Sequence, residues 1–280
     1  MQAFRESCYR CNGWLPATDP CSPLVPGDVF VIKGGAVLPL LNIYDIRLLE
    51  RLDVSDPRTL VGGGWALNRG LAPVLTETMM ETDEQGESVR AVLRRLRFGA
   101  PGDFVFRAGE ISARYVLNWP DIQRDLILKL TQLHYTFRDV CVVTAVAKAY
   151  NWMLAIAGGS GAVLTSRAVE SDGGWFDDVL HESACRVLED GMAYLAIERD
   201  VKRPAHFFQA QRLRLSDAVE SRLLRQVLEQ GQQYGDHMRS NWLQVDRTSL
   251  MRGSDLNLNT AMDTFTWRPV MPEDFADTGG

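Results

Sequence analysis

Val140-Cys141-Val142-Val143-Thr144-Ala145-Val146-Ala147-Lys148-Ala149-Tyr150-Asn151-Trp152-Met153-Leu154-Ala155-Ile156-Ala157 is the stretch that decides the fold. Side chains of a strand alternate between two faces. One parity here carries Val140, Val142, Thr144, Val146, Lys148, Tyr150, Trp152, Leu154 and Ile156, which are large and mostly β-branched or aromatic. The other carries Cys141, Val143, Asn151, Met153 and a run of alanines, which are mostly small. The alternation predicts one long strand, bent once, because strands average only about five to six residues. Gly158-Gly159-Ser160-Gly161 ends it.

The flanking sequence supplies its partners. Two apolar runs around Gly34-Gly35 predict a β-hairpin over 29–38, since glycine reaches the positive φ that a tight turn needs. Phe104-Val105-Phe106 and Tyr194-Leu195-Ala196-Ile197 read as short strands, and 206–215 as a longer one with Phe207, Gln209, Gln211, Leu213 and Leu215 on one parity. Ile122, Leu126, Lys129, Leu130 and Leu133 recur at helical steps behind Asn118 and Pro120, so 120–134 is a helix with a capped start. Helical spacing also predicts helices over 43–52, 76–98, 175–188 and 217–238. In the second of these, Leu93 and Leu96 fit one face, Gly86 weakens the middle, and Arg90, Arg94, Arg95 and Arg97 form a basic stretch that is either a solvated helix face or a site of attraction to anionic phospholipid headgroups. Residues 1–27, with three cysteines and four prolines, read as irregular. The fold class that follows is α+β, a mostly antiparallel sheet decorated by helices.

At 280 residues the chain can bury a sizeable core without metals or disulfides. Its formal charge of −6 speaks against a nucleic-acid partner. The N-terminus lacks an apolar run of signal-peptide length, and no run reaches transmembrane-helix length, so a cytoplasmic start is expected. Five cysteines, an odd number, are expected to stay thiols. Cys8-x-x-Cys11 is half a zinc site whose second pair is absent. Gly158-Gly159-Ser160-Gly161 lacks the lysine of a phosphate loop. His134, His181, His206 and His237 neighbour no nucleophile motif and stand at no ligand spacing. The sequence therefore points to binding or shape change rather than catalysis, with no cofactor and no catalytic residue.

Asp139-Val140-Cys141-Val142-Val143-Thr144-Ala145-Val146-Ala147-Lys148 carries a resemblance. With the Gly27-Asp28-Val29-Phe30-Val31 opening, the 206–215 strand, the Cys-bearing N-terminus and the short patterned tail, the chain resembles the bacterial gasdermins. The resemblance implies a twisted, mostly antiparallel sheet like the gasdermin N-domain, held inactive by a C-terminal peptide. It implies a protease partner that removes the peptide, self-oligomerisation in anionic membranes, and strands that extend into a β-barrel pore. Cell death, probable anti-phage defence, and passage from the cytoplasm to the inner membrane belong to the same expectation.

Carried onto this chain, the pore-forming domain is 1–252 and the inhibitory peptide 253–280. Val140, Val142, Val146, Trp152 and Leu154 would be the membrane-inserting strand, because a barrel strand needs about 9–11 alternating residues. Cys8, then Cys11, would take a palmitoyl group. The tail has five acidic residues against Arg268, net −4, leaving −2 on the remainder. Its loss therefore relieves most of the charge that opposes an anionic bilayer. Phe265 and Trp267 would anchor it, and cleavage would fall in 244–256, with Arg247, Leu250 and Arg252 as candidate specificity residues. Two other readings stand beside this one: an interaction or immunity protein without pore activity, and an enzyme with a dispersed site.

Overall fold

The computed structural model describes residues 1–17, 23–43, 53–60, 64–82, 86–132, 140–169, 174–181, 185–199, 202–219, 221 and 264–276. In chain order the elements are α1 (Gln2–Asn12), β1 (Leu15–Pro16), β2 (Asp28–Lys33), β3 (Ala36–Asn42), β4 (Arg58–Thr59), β5 (Ala66–Arg69), β6 (Leu75–Thr82) and β7 (Ser88–Arg97). There follow β8 (Phe104–Tyr115), α2 (Trp119–Gln132), β9 (Val140–Ala157), β10 (Val163–Val169), α3 (Trp175–His181), β11 (Arg186–Asp190), β12 (Met192–Glu198), β13 (Ala205–Leu215) and β14 (Phe265–Pro269). A 3-10 turn at Pro272–Phe275 comes last. The class is α+β and mostly antiparallel, as the sequence predicts.

β9 is the predicted long strand and runs for eighteen residues, from Val140 to Ala157. The run departs from extended backbone at Asn151, whose φ of 47° is in the left-handed region where Asn is one of the few tolerated side chains. The large and the small face are both buried. Cys141, Val143, Ala145, Ala147 and Ala149 are as inaccessible as Val140, Val142 and Val146, and only Thr144, Lys148, Tyr150 and Asn151 are half-exposed. A strand covered on both sides reads as continuously apolar rather than alternating.

Three other expectations change. Residues 1–27 are not irregular throughout. The prolines begin at 16, so 2–12 is free to form α1, which Gly13 ends with a φ of 74°. Residues 76–98 are a β-hairpin, not a helix. Gly86 (φ 84°) lies in the connection, and β6 and β7 pair from Leu75↔Arg95 to Thr82↔Ser88. The spacing of Leu93 and Leu96 misled because Val92, Arg94 and Leu96 share one strand face, with an arginine on the buried side. The helix over 175–188 stops at His181, and Leu188 belongs to β11. α2 and β13 form as predicted, and the β2–β3 turn uses Gly34 and Gly35, both at positive φ. The predicted helices over 43–52 and 217–238 lie almost wholly outside the described residues.

The chain divides into two compact units, each assembled from three segments. The first comprises Met1–Pro23, Pro57–Ala113 and Ala147–Phe207. In it β12 pairs with residues 152–157 of β9, β4 and β5 pair with β8, and a four-stranded antiparallel sheet runs in the order β11-β10-β7-β6. One of its cores contains Leu96, Phe98, Val105, Met153, Leu164, Trp175 and Val179. The second unit comprises Leu24–Asp56, Arg114–Val146 and Phe208–Gly280. In it β2 pairs with both β3 and residues 140–142 of β9, and β13 pairs with β14. Its core joins Val29, Ile122, Leu126, Val140, Val142, Leu213 and Phe265.

Candidate functional site

Two places stand out, one in each unit. In the first unit the four-stranded sheet consists of two hairpins side by side, β6–β7 and β10–β11, with β7 against β10. Its outer strands, β6 and β11, end the hydrogen-bonded order. One face carries the register row Leu75, Arg95, Thr165, Leu188, and beyond it Met79, Ala91, Val169. Leu75 is 56% exposed and Leu188 66%, while Met79 and Val169 are also open to solvent. Met80, on β6's other face, is 66% exposed. Among the described residues nothing pairs with these outer strands, and apolar side chains on such strands are a liability that folded proteins usually suppress. Charge is interleaved with them: Arg95 pairs with Glu77 at 2.9 Å, and Arg167 pairs with Glu81, which holds that carboxyl below its usual range.

The opposite face of this sheet packs on α3. Val92, Arg94 and Leu96 of β7 and Leu164, Ser166 and Ala168 of β10 are buried there. α3 is fastened by the Trp175 indole N–H donating to the Arg94 carbonyl (3.1 Å), by an Arg94–Asp178 ion pair, and by Arg107 lying 4.2 Å over the Phe176 ring. Arg199 donates to the Val179 carbonyl at 2.6 Å, capping the helix's C-terminal turn.

In the second unit the C-terminal segment is docked as a strand and a turn. β14 pairs antiparallel with β13 from Gln211↔Pro269 to Leu215↔Phe265. Phe265 is buried in the core, and half-buried Trp267 lies edge-on to Trp119 while its indole N–H donates to the Gln123 carbonyl at 3.1 Å. Past the strand, Asp274 Oδ1 accepts from Arg212 (2.6 Å) and Arg214 (3.1 Å), and Oδ2 accepts the Met271 amide at 2.9 Å. Phe275 is buried beside Phe208. Its carbonyl comes close to Gly35, where a Cβ would lie 3.0 Å away.

The sequence-predicted residues are distributed as follows. Phe265 and Trp267 are both on the docked strand, and Asp274 and Phe275 add contacts further along although neither was expected as an anchor. Their signal was present, since an acidic residue and an aromatic follow a proline turn. Val140, Val142, Val146, Trp152 and Leu154 are all buried along β9, with the Trp152 indole donating to the Arg203 carbonyl at 2.9 Å. Cys8 and Cys11 share α1, but Cys8 is fully buried and Cys11 exposed. Burial pushes the Cys8 thiol far up, and the neighbouring Cys11 adds to this. Arg247, Leu250 and Arg252 lie outside the described residues. Among the described residues no group of His, Cys, Asp and Glu suits a metal ion, and no helix is long and apolar enough to cross a membrane, which says nothing of strands.

The fold therefore belongs to the α+β class in which antiparallel strands carry the architecture and short helices pack on them. No family model matches the chain, and no curated protein matches it. Among solved structures it is similar to gasdermin A3 in its membrane pore, seen by cryo-EM. The identity is 11%, 77% of this chain and 90% of that chain are covered, and the TM-score is 0.34.

Proposed function

We propose that the chain is a non-enzymatic, autoinhibited pore former whose C-terminal peptide is removed by a protease before copies assemble in an anionic membrane. The supporting observation is the four-stranded sheet of two hairpins. It is antiparallel, its outer strands β6 and β11 pair with no further strand among the described residues, and it presents apolar side chains to water. Only a closed barrel satisfies every backbone group of such strands inside a bilayer. β7 has ten residues and β6 eight, near the roughly 9–11 a spanning strand needs, whereas β10 has seven and β11 five. Under this reading the second hairpin lengthens by drawing on the chain between its strands.

This proposal moves the inserting role from β9 to that sheet. β9 pairs with β2, β8, β12 and β13 and is buried on both faces, so withdrawing it would strip the cores it serves. The domain boundary near residue 252 and the inhibitory peptide beyond it remain part of the reading, supported by the docking of 264–276 on β13. A protease acting near Arg247, Leu250 or Arg252 would sever that segment from the rest. A palmitoyl group, if added to the folded chain, goes on exposed Cys11 rather than on Cys8. The inactive protein resides in the cytoplasm, and the cut form in the inner membrane, where it kills the cell as a defence against phage.

Limited proteolysis of the full chain in the presence of dye-loaded anionic vesicles tests the proposal. Dye release that requires the cut, together with toxicity of a chain ending near residue 250, is the expected result. A cut chain that stays in solution and releases nothing sinks the pore reading and leaves the interaction protein in its place.

A further inference from the structure

Arg94 and Asp178 form an ion pair inside an apolar layer. Arg94 sits on β7 between Val92 and Leu96, and Asp178 on α3 beside Val179 and Trp175, with both charged side chains nearly or fully buried. The cross-strand neighbour of Arg94 is Ser166, whose buried hydroxyl has no hydrogen-bond partner among the described residues. The ion pair and the unsatisfied Ser166 hydroxyl thus lie in a layer that also holds Leu96, Leu164, Ala168, Trp175 and Leu180. Packing strength does not account for this choice. Apolar side chains of similar volume hold such a layer at least as firmly, because the cost of desolvating two charges offsets much of their attraction. An ion pair differs in how it gives way. It holds while both partners are seated and fails steeply once one is lost, which is the behaviour of a two-state fastening.

What it fastens is the connection of one hairpin. β10 and β11 pair antiparallel from Val163↔Asp190 to Arg167↔Arg186, and α3 lies between them in sequence. While α3 is helical and pinned to β7, its residues are withheld from both strands. The other attachments differ in kind. The Trp175 indole donates to the Arg94 carbonyl, Arg199 grips the Val179 and Cys185 carbonyls, and Arg107 covers the Phe176 ring, so none of these is a buried pair of opposite charges. We propose that the Arg94–Asp178 pair is a latch that holds α3 against the sheet and sets how readily the β10–β11 hairpin can lengthen. Its place in pore assembly rests on the function proposed above, but the local opening it controls does not.

Amide hydrogen exchange on the intact full-length chain tests the latch, comparing wild type, Asp178→Asn, and the double variant Arg94→Leu with Asp178→Leu. Loss of one charge should speed exchange in α3 by roughly a hundredfold, as expected when a buried partner is left uncompensated. Exchange in residues 152–157 of β9 should stay as in wild type. The double variant should bring α3 back to wild-type exchange or slower, since nothing buried is then unpaired. Unchanged α3 exchange in Asp178→Asn, equal acceleration in β9, or a double variant as fast as the single one would each overturn the latch. The second arm cuts each full-length variant in the presence of dye-loaded phosphatidylglycerol–phosphatidylcholine vesicles. Asp178→Asn should shorten the lag before release, and the double variant should restore the wild-type lag or lengthen it. No release from any variant, wild type included, removes the pore reading while the exchange order still decides the latch. Release with identical lags in all three overturns the latch as a control on assembly.

Discussion

Trp267 meets Trp119 edge-on, with ring centroids 5.1 Å apart and planes at 71°. The contact joins the last strand to the first turn of α2, and the Trp267 N–H extends it to the Gln123 carbonyl one turn further on. Aromatic pairs in this geometry contribute about 0.5–1.5 kcal/mol beyond their area. Trp267→Ala should therefore loosen the docked segment by about 2–3 kcal/mol once burial is included. Trp267→Phe should lose only the hydrogen bond, about 1 kcal/mol. Protease susceptibility of residues 264–276 and dye release without prior cutting measure both. Equal resistance in Trp267→Ala and wild type would show that the aromatic pair holds nothing.

Asp274 ties the turn to β13 through two arginines. Arg212 and Asp274 are mostly shielded, whereas Arg214 is nearly half open to water. Asp274→Asn should cost about 1–3 kcal/mol of docking, the range for hydrogen bonds to charged groups. Most of that loss should come from Arg212, and the part due to Arg214 should fade in high salt. The check is the urea midpoint of the wild type and of Asp274→Asn, compared at low and high salt. A penalty abolished entirely by salt would assign the whole effect to the exposed partner.

His206 gives the fold an acid-sensitive component. Burial lowers its imidazole from the usual 6.5 to about 4, with the Lys148 charge adding to the shift. The folded value lies below the unfolded one, so the fold holds the neutral ring while the unfolded chain takes up a proton. The contribution is complete above pH 6.5 and falls away as pH drops through about 4. Denaturation midpoints of wild type should decline across that window more steeply than those of His206→Gln. Parallel declines would mean that other groups set the acid limit.

Cys11 and Cys8 should separate in a thiol-labelling experiment. Cys11 is exposed and should react in the native protein, whereas Cys8 is buried with its thiolate disfavoured and should react only on unfolding. Mass spectrometry of the peptide holding both residues reads this directly. Native labelling of Cys8 at the rate of Cys11 would show that α1 opens readily.

The strands that carry their own pattern were legible in the sequence. β9, β13 and the Gly34-Gly35 hairpin show themselves because long apolar runs and a glycine pair mean the same thing wherever they sit. α2 shows itself through Pro120 in its first turn and its three- and four-residue steps, whereas the Asn118 side chain accepts the Asp53 amide. The β6–β7 hairpin was hidden because its buried face contains Arg94, and a buried arginine is identified only by its partner, eighty-four residues away on α3. α1 was hidden by three cysteines and four prolines that share its segment, although every proline lies beyond its end. Within the C-terminal segment the aromatic anchors stood out, but Asp274 did not. Its arginines lie about sixty residues earlier, and only the pairing of β14 with β13 brings them together.

Because each unit is assembled from three separated lengths of chain, neither can be cloned as one continuous fragment. β8, β9 and β13 each run from one unit into the other, so no single cut in the gene yields a self-sufficient half. The second unit is also unfinished until the strand at 265–269 has been synthesised. Pairings this distant in sequence form slowly, since the chain must close long loops before any contact compensates for the lost entropy. The nascent protein should therefore complete its second unit only after the strand at 265–269 has left the ribosome, and refolding from denaturant should be slow and governed by the meeting of remote strands.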